Sequence, residues 1–457
     1  MTHLYDRLQA YFGALRKTTI VLRKSVTLWV LLALPAYASD YVFTNVNVIP
    51  MGQEEVLTEY AVVIEGDRIV EVTAMDEFSL PNGVNVIDGR GRYLMPGLAE
   101  MHGHVPPQRS DNLPERYLND TLFLYLAGGI TTVRGMLGHA DQLALKDDVS
   151  SGARLGPTLY LAGPSFNGNS VESPQQAREM VREHKKAGWD LLKIHPGLEL
   201  EEFIAVAEEA NALEIDFAGH IPEAVPLDQA IRLGIRTIDH MDGYIEFVRA
   251  TDREIRAEEL QALIDLTLEH GVGIVPTQAL WATLIGAADR SELEAYEEAK
   301  YVPQQVRAGW QRYLDNAEDS RYYTGDSADV HQANRQRLLY AMRNAGVEIL
   351  MGTDAPQVYS VPGLGLKHEL AMMEDAGFSP YEVLYTGTVA VGRYFADADT
   401  FGQVASGHRA DLILTAENPL EDLGTLAEPL GVMVRGRWLT REMLDEKLTE
   451  IEAAYQE

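Results

Sequence analysis

The chain contains no cysteine. That absence excludes disulfides, thiolate-bound metal, a cysteine nucleophile and a lipid-modified N-terminal cysteine, so any transition metal must be held by imidazole, carboxylate or a modified lysine. Basic residues are scarce. The 38 Lys and Arg stand against 69 Asp and Glu, a formal net charge of −31, and such a surface repels phosphate backbones and anionic membranes. Nucleic acid is therefore not an expected partner. A bilayer-spanning apolar run of about 20 residues is missing as well. So are a Gly-x-Ser-x-Gly elbow that would carry a serine nucleophile, internal repeats and low-complexity segments.

What the N-terminus does carry reads as an export signal. Arg16, Lys17, Arg23 and Lys24 precede a short apolar run from Val26 to Leu34, and Pro35 and the small-residue site Ala36-Tyr37-Ala38 follow it. Residues 1–38 are expected to be removed, leaving a periplasmic or secreted protein with no stable membrane anchor.

The mature chain divides by pattern. Residues 39–93 alternate apolar and polar positions around turn signals such as Glu65-Gly66-Asp67, and short strands return only in 399–457, before a terminal helix. One small β-sandwich built from both ends is the expectation. Between them, in 94–398, short apolar strands alternate with amphipathic helices, as at 201–211 and 227–233. The strands are read at 97–101, 130–133, 159–162, 191–194, 215–218, 236–238, 273–275 and 348–351. Eight such units predict a (β/α)8 TIM barrel, an α/β fold. Residues 281–344 form a charged, aromatic excursion, and lid and plain insertion are both open readings.

Barrels of this kind place chemistry at the C-terminal ends of their strands. The first strand ends in His102-Gly103-His104, whose i, i+2 spacing turns both imidazoles to one side. Lys193 lies on the fourth strand, His220 and His240 end the fifth and sixth, and Asp354 follows the eighth. An isolated histidine at a strand end is usually a packed residue. Six ligand-capable groups in equivalent positions point to a metal site.

Leu94-Met95-Pro96-Gly97-Leu98 before the histidine pair, Gly219-His220-Ile221-Pro222, Asp239-His240 and Val432–Trp438 together give the chain its likeness. It resembles the amidohydrolase superfamily, in particular the imidazolonepropionase-like branch related to carboxylated-lysine Xaa-Pro dipeptidases. The resemblance implies two divalent cations; zinc is the default for its abundance and affinity for imidazole, and manganese, cobalt or iron would fit the same ligands. One cation is held by His102, His104 and Asp354, the other by His220 and His240, and a carbon dioxide-derived carbamate on Lys193 bridges them. It further implies that Asp354 carries the proton of the attacking hydroxide to the leaving amine. A lysine paired with a neighbouring acid is the alternative for Lys193. Tyr244 is a candidate donor to the oxyanion, and Arg134 and His139 are candidates for holding a substrate carboxylate. Strand alternation turns His195 away from the metals. His331 is assigned a structural or surface role.

The function expected is hydrolysis of a small amide, either a dipeptide (Xaa-Pro included) or an N-acyl amino acid. Cyclic-amide hydrolysis or ring deamination is the alternative, with Glu223 three residues after His220 as its acid–base group. A silent binding protein is the reading from another class. A homo-oligomer is compatible with all three.

Overall fold

The protein is described by a computed structural model covering residues 40–108 and 112–456. The expected export segment lies outside the described residues.

Strands β1 (Tyr41–Val48), β2 (Leu57–Glu65), β3 (Arg68–Ala74), β4 (Asn85–Asp88) and β5 (Tyr93–Pro96) open the chain. Much later come β13 (Leu412–Thr415), β14 (Gly431–Val434) and β15 (Arg437–Thr440). The two groups join in one sheet, because β13 pairs antiparallel with β5. The alternation that marks these strands buries Phe43, Val62, Ile64, Leu412 and Met433 in one apolar cluster. A terminal helix, Arg441–Tyr455, follows and is tied back by Tyr455, whose hydroxyl donates to Asp120 Oδ2 at 2.6 Å.

The barrel strands are β6 (Leu98–Gly103), β7 (Ile130–Gly135), β8 (Thr158–Leu161), β9 (Leu191–Ile194), β10 (Asp216–Gly219), β11 (Thr237–Asp239) and β12 (Gly273–Val275), all paired parallel. These β strands are buried on both faces, as parallel strands covered by helices must be. The eighth stave, residues 348–351, is too irregular for a continuous ladder and makes a single bridge at Ile349 to Ile274. It nevertheless closes the barrel: Met101 N donates to Met351 O at 2.8 Å, and Leu350 N donates to Ile274 O at 2.9 Å. Helix boundaries follow local chemistry. Ser173 caps the helix Pro174–Ala187, which has proline at its first position and Gly188 in the left-handed conformation at its end.

The excursion between the seventh and eighth staves is helical, with helices at Gln278–Ile285, Arg290–Glu294, Gln304–Asp315 and Ala328–Ala345. Most of it is packed. Leu280, Leu293, Val302 and Trp310 share a cluster with Phe123 and Tyr455, and Arg307 donates to Tyr455 O at 2.9 Å. Its segment at 321–324 is pinned differently, by two bonds from Thr324 to Ile285 O, each 3.1 Å.

Candidate metal centre

Strands β6, β9, β10 and β11 and the turn after the eighth stave bring the six expected residues to one rim. His102 Nε2 lies 3.1 Å from Lys193 Nζ and 3.7 Å from Asp354 Oδ1. His104 Nε2 is 2.5 Å from the same Asp354 oxygen, and His240 Nε2 is 3.7 Å from Asp354 Oδ2. The His240 ring centroid stands 4.3 Å from that of His102 and 4.6 Å from that of His220. His102, His104 and Asp354 present ligand atoms all within 4.8 Å of one another.

Two features make this donor set fit cations. His240 Nε2 is buried with no hydrogen-bond partner, a costly state for a polar atom unless something else engages it. The two fully buried imidazoles, His102 and His240, are also kept neutral, as metal ligands must be. Burial, then the charges of Lys193 and His104, hold His102 well below the usual histidine range; burial, then His102 and His220, do the same for His240.

Lys193 is fully buried, and burial lowers its amine to about 8. Among the described residues it forms no ion pair with an acid, so the reading of a lysine paired to a neighbouring carboxylate is not what the fold builds. Gly219, at φ 127°, makes room for it: a Cβ there would sit 2.4 Å from Ile194 O and 3.0 Å from Lys193 Cδ.

Each buried ligand is oriented from behind. His102 Nδ1 donates to Asp239 Oδ2 at 2.6 Å, and His220 Nδ1 donates to Asp242 Oδ2 at 2.9 Å. His240 Nδ1 meets Thr277 Oγ1 at 2.8 Å. A carboxylate only accepts, so in His102 and His220 Nδ1 carries the proton and Nε2 keeps its lone pair for the rim. Glu100 ties the first stave to the eighth, accepting from His102 N at 2.8 Å and Thr353 N at 2.9 Å; burial raises its carboxyl to about 7. His240 (φ 65°), Thr277 (φ 43°) and Asp354 (φ 62°) all occupy the left-handed region, strain that clusters where a fold aims functional groups. Asp239, Asp242 and Thr277 were not singled out from sequence. The one available signal was that Asp239 and Asp242 flank His240.

Three expectations need correction. Arg134 is completely buried and does not face substrate. Its guanidinium donates to both oxygens of Asp239 at 3.0 and 3.1 Å, to Met101 O at 2.6 Å and to Thr237 Oγ1 at 3.0 Å. It lies beneath the centre because it sits inside β7, on the face that points into the barrel. Tyr244 is likewise buried, its hydroxyl 2.8 Å from Thr267 Oγ1. Left-handed residues at Met241 and Gly243 turn the chain back into the helical layer before Tyr244 is reached. His195 does not turn away, since β9 ends at Ile194 and alternation ends with it; its ring stacks 5.3 Å from His220. His139 remains near the rim. It precedes the helix Gln142–Ser150, and Gln142 Nε2 bonds Val105 O at 2.6 Å, one residue beyond His104.

The phenol that does reach the mouth is Tyr322, from the excursion. Its ring lies 5.0 Å from Trp281, which stacks 5.2 Å from His240. Burial, then the charge of Asp242, raise its hydroxyl to about 12. Tyr244→Phe is accordingly expected to leave kcat/KM within about twofold while costing about 1 kcal/mol of stability from the lost hydrogen bond. Steady-state kinetics and urea unfolding would check this, and a hundredfold loss of turnover would return Tyr244 to the active centre.

A closed parallel barrel with a buried imidazole–carboxylate–lysine cluster at its C-terminal rim defines a metal-dependent hydrolase. The amidohydrolase family profile matches residues 93–439, and the chain belongs to that family. Ochratoxinase from Aspergillus niger is 26% identical over 325 residues, which cover 65% of this chain and 55% of that protein. Imidazolonepropionase from Salmonella schwarzengrund is 24% identical over 421 residues, 84% of this chain and 93% of that one. Among solved structures, a Xaa-Pro dipeptidase with methionine in its active site superposes with a TM-score of 0.65 at 21% identity, covering 88% of this chain and all of the other. The protein is thus a metal-dependent hydrolase acting on C–N bonds.

Proposed function

We propose that the protein is an exported hydrolase that cleaves the amide bond of a dipeptide, Xaa-Pro included, or of an N-acyl amino acid. Two divalent cations, zinc by default, would be held by His102, His104 and Asp354 and by His220 and His240, with a carbamate on Lys193 between them. The observation that carries this is the buried Lys193 amine, 3.1 Å from His102 Nε2 and free of any acid partner among the described residues. An amine lowered to about 8 by burial keeps a neutral fraction at pH 7 that can add to carbon dioxide. A bound pair of divalent ions supplies a Lewis acid for the carbonyl and acidifies water to a pKa of about 7.

The chain's own groups then divide the work. Asp354 points both oxygens into the imidazole ring of the centre and accepts the proton of the attacking water, later giving it to the departing amine. The Tyr322 hydroxyl, near enough to Asp242 and Asp354 to feel their charges, is the candidate donor to the developing oxyanion. His139 and His195, both at the rim, are the candidates for holding a substrate carboxylate. Trp281, stacked over His240, limits water on that side.

Cyclic-amide hydrolysis or deamination is less well supported. Glu223, which that reading needs as its proton carrier, is engaged by Arg321. An intact ligand set speaks against a silent binding protein.

The test is a panel of dipeptides and N-acyl amino acids assayed with the metal-loaded protein and again after chelation. Amide cleavage that disappears on chelation and returns with zinc or manganese is expected. Turnover that survives chelation, or that is confined to ring substrates, would sink the reading.

A further inference from the structure

Beside the metal centre, on the side of β10 to β12, the mouth opens into a cavity of about 540 Å³. Pro222, Phe247, Trp281 and Tyr322 line it with apolar and aromatic surface. Phe247 is among the few large apolar side chains left exposed, at 47%. Asp242, the partner of His220, forms part of the same wall, so the cavity is continuous with the residues that orient the centre.

Its charges do not balance. Glu223 is paired with Arg321. Asp242 accepts from His220 and from Ile221 N. Glu246 has neither an arginine nor a lysine bonded to it among the described residues, and His331 Nε2 lies 3.7 Å from its Oε1. Packing around the Glu246 carboxyl, then the charge of Asp242, raise it although half of its side-chain surface stays open, and the charge of Arg335 offsets this only in part. The buried cation behind this wall, Arg335, donates instead to His240 O, Pro276 O and Gln278 Oε1.

The second observation is His331. It lines the cavity, is only 3% exposed, and neither ring nitrogen has a hydrogen-bond partner. Burial, then Arg335, lower it to about 4, so at neutral pH it offers a lone pair and no charge. A buried polar ring left unpaired against a cavity is a group that awaits a donor.

We infer that this cavity is a subsite for a cationic side chain of the substrate, a guanidinium or ammonium on an alkyl stem. The apolar walls take the stem, and the exposed Phe247 ring is the face left for the cation, because Arg335 lies 5.0 Å over the Trp281 ring and Arg321 lies against Tyr322. Glu246 supplies the counter-charge, and His331 accepts one N–H. Arg321, held by Glu223 over the face of Tyr322 with 5.1 Å between guanidinium and ring centroid, closes the outer edge. The preferred amide is then one that carries an arginyl or lysyl residue. Which reaction occurs next to the subsite rests on the amide-hydrolase reading above; the binding of the cation does not.

The test separates the two. Calorimetry on the metal-loaded full chain compares n-butylguanidinium with its neutral isostere n-butylurea, neither of which contains a peptide bond. The cation is expected to bind at least about tenfold more tightly, with Glu246→Gln reducing that preference to near one. Because Glu246 keeps half its side-chain surface open, the substitution leaves folding intact, and far-UV circular dichroism would verify this. Arginyl dipeptides should correspondingly exceed citrullyl ones by at least about tenfold in kcat/KM, and Glu246→Gln should remove that ratio. Equal binding of the two probes, or a preference untouched by Glu246→Gln, overturns the subsite. Selective cation binding without cleavage of any amide sustains the subsite and removes the proposed reaction.

Discussion

Lys193→Ala is expected to lower kcat/KM on the best amide substrate by at least about 1,000-fold, equivalent to about 4 kcal/mol of transition-state stabilisation. The reasoning starts from burial. An amine completely removed from solvent, with no acid bonded to it among the described residues, is an unfavourable thing to retain in a core. Its nearest polar neighbour is His102 Nε2, at 3.1 Å, an atom whose ring is already fixed through Nδ1 by Asp239. The amine donates to the Nε2 lone pair, the same lone pair that would hold a cation, so this bond gives way when metal binds and the lysine is carboxylated. Removing the side chain leaves the fold's apolar staves undisturbed, since Leu192 and Ile194 supply the packing on either side. The loss should therefore fall on turnover and metal content, with unfolding midpoints of the metal-free proteins nearly equal. A variant that unfolds instead would mean the lysine is structural.

Arg134→Met is the substitution expected to hurt the fold most. It removes the partner of a carboxylate that is itself wholly buried, and losing half of such a pair costs about 3–5 kcal/mol. Burial alone would lower the arginine, but the charges and hydrogen bonds of Asp239 and Tyr394 together outweigh it and the guanidinium is held above its usual value. The damage should also reach the centre, because Asp239 sets the orientation of His102. Metal affinity is expected to fall about 10–100-fold, the range for partners one step removed from a ligand. A double-mutant cycle gives the sharper reading. Arg134→Met combined with Asp239→Asn should recover part of the stability lost in the single variant, since no charge is then left unpaired. Strict additivity would mean the two side chains act independently, against the bonds described.

The same pair explains what was and was not legible in the sequence. The strands could be read because apolar runs bounded by turn residues are a local signal, and the ligands could be read because each falls just beyond such a run. His102, Lys193 and His240 needed only position along a stave. Arg134 and Asp239 are 105 positions apart and meet through the barrel interior, so no local spacing announces them. The direction of a side chain just past a strand end was equally hidden. Alternation predicts it only while the strand lasts, which is why His195 faces His220 and Tyr244 points into the helical layer. The eighth stave, with one bridge, was found by its apolar run although its hydrogen bonds are irregular. Tyr322 and His331 came from an excursion whose packing depends on distant partners such as Phe123 and Tyr455, and its sequence carries no period that assigns their direction.

The proposed chemistry requires that this rim hold a pair of cations through a lysine modified in place. Elemental analysis of purified wild-type protein and Lys193→Ala, each loaded with zinc in bicarbonate buffer and desalted, addresses it directly. About two metal ions per wild-type chain, as a two-metal site requires, and at most about one in the variant is the predicted result. Equal metal content in both proteins, with turnover preserved in Lys193→Ala, would contradict it.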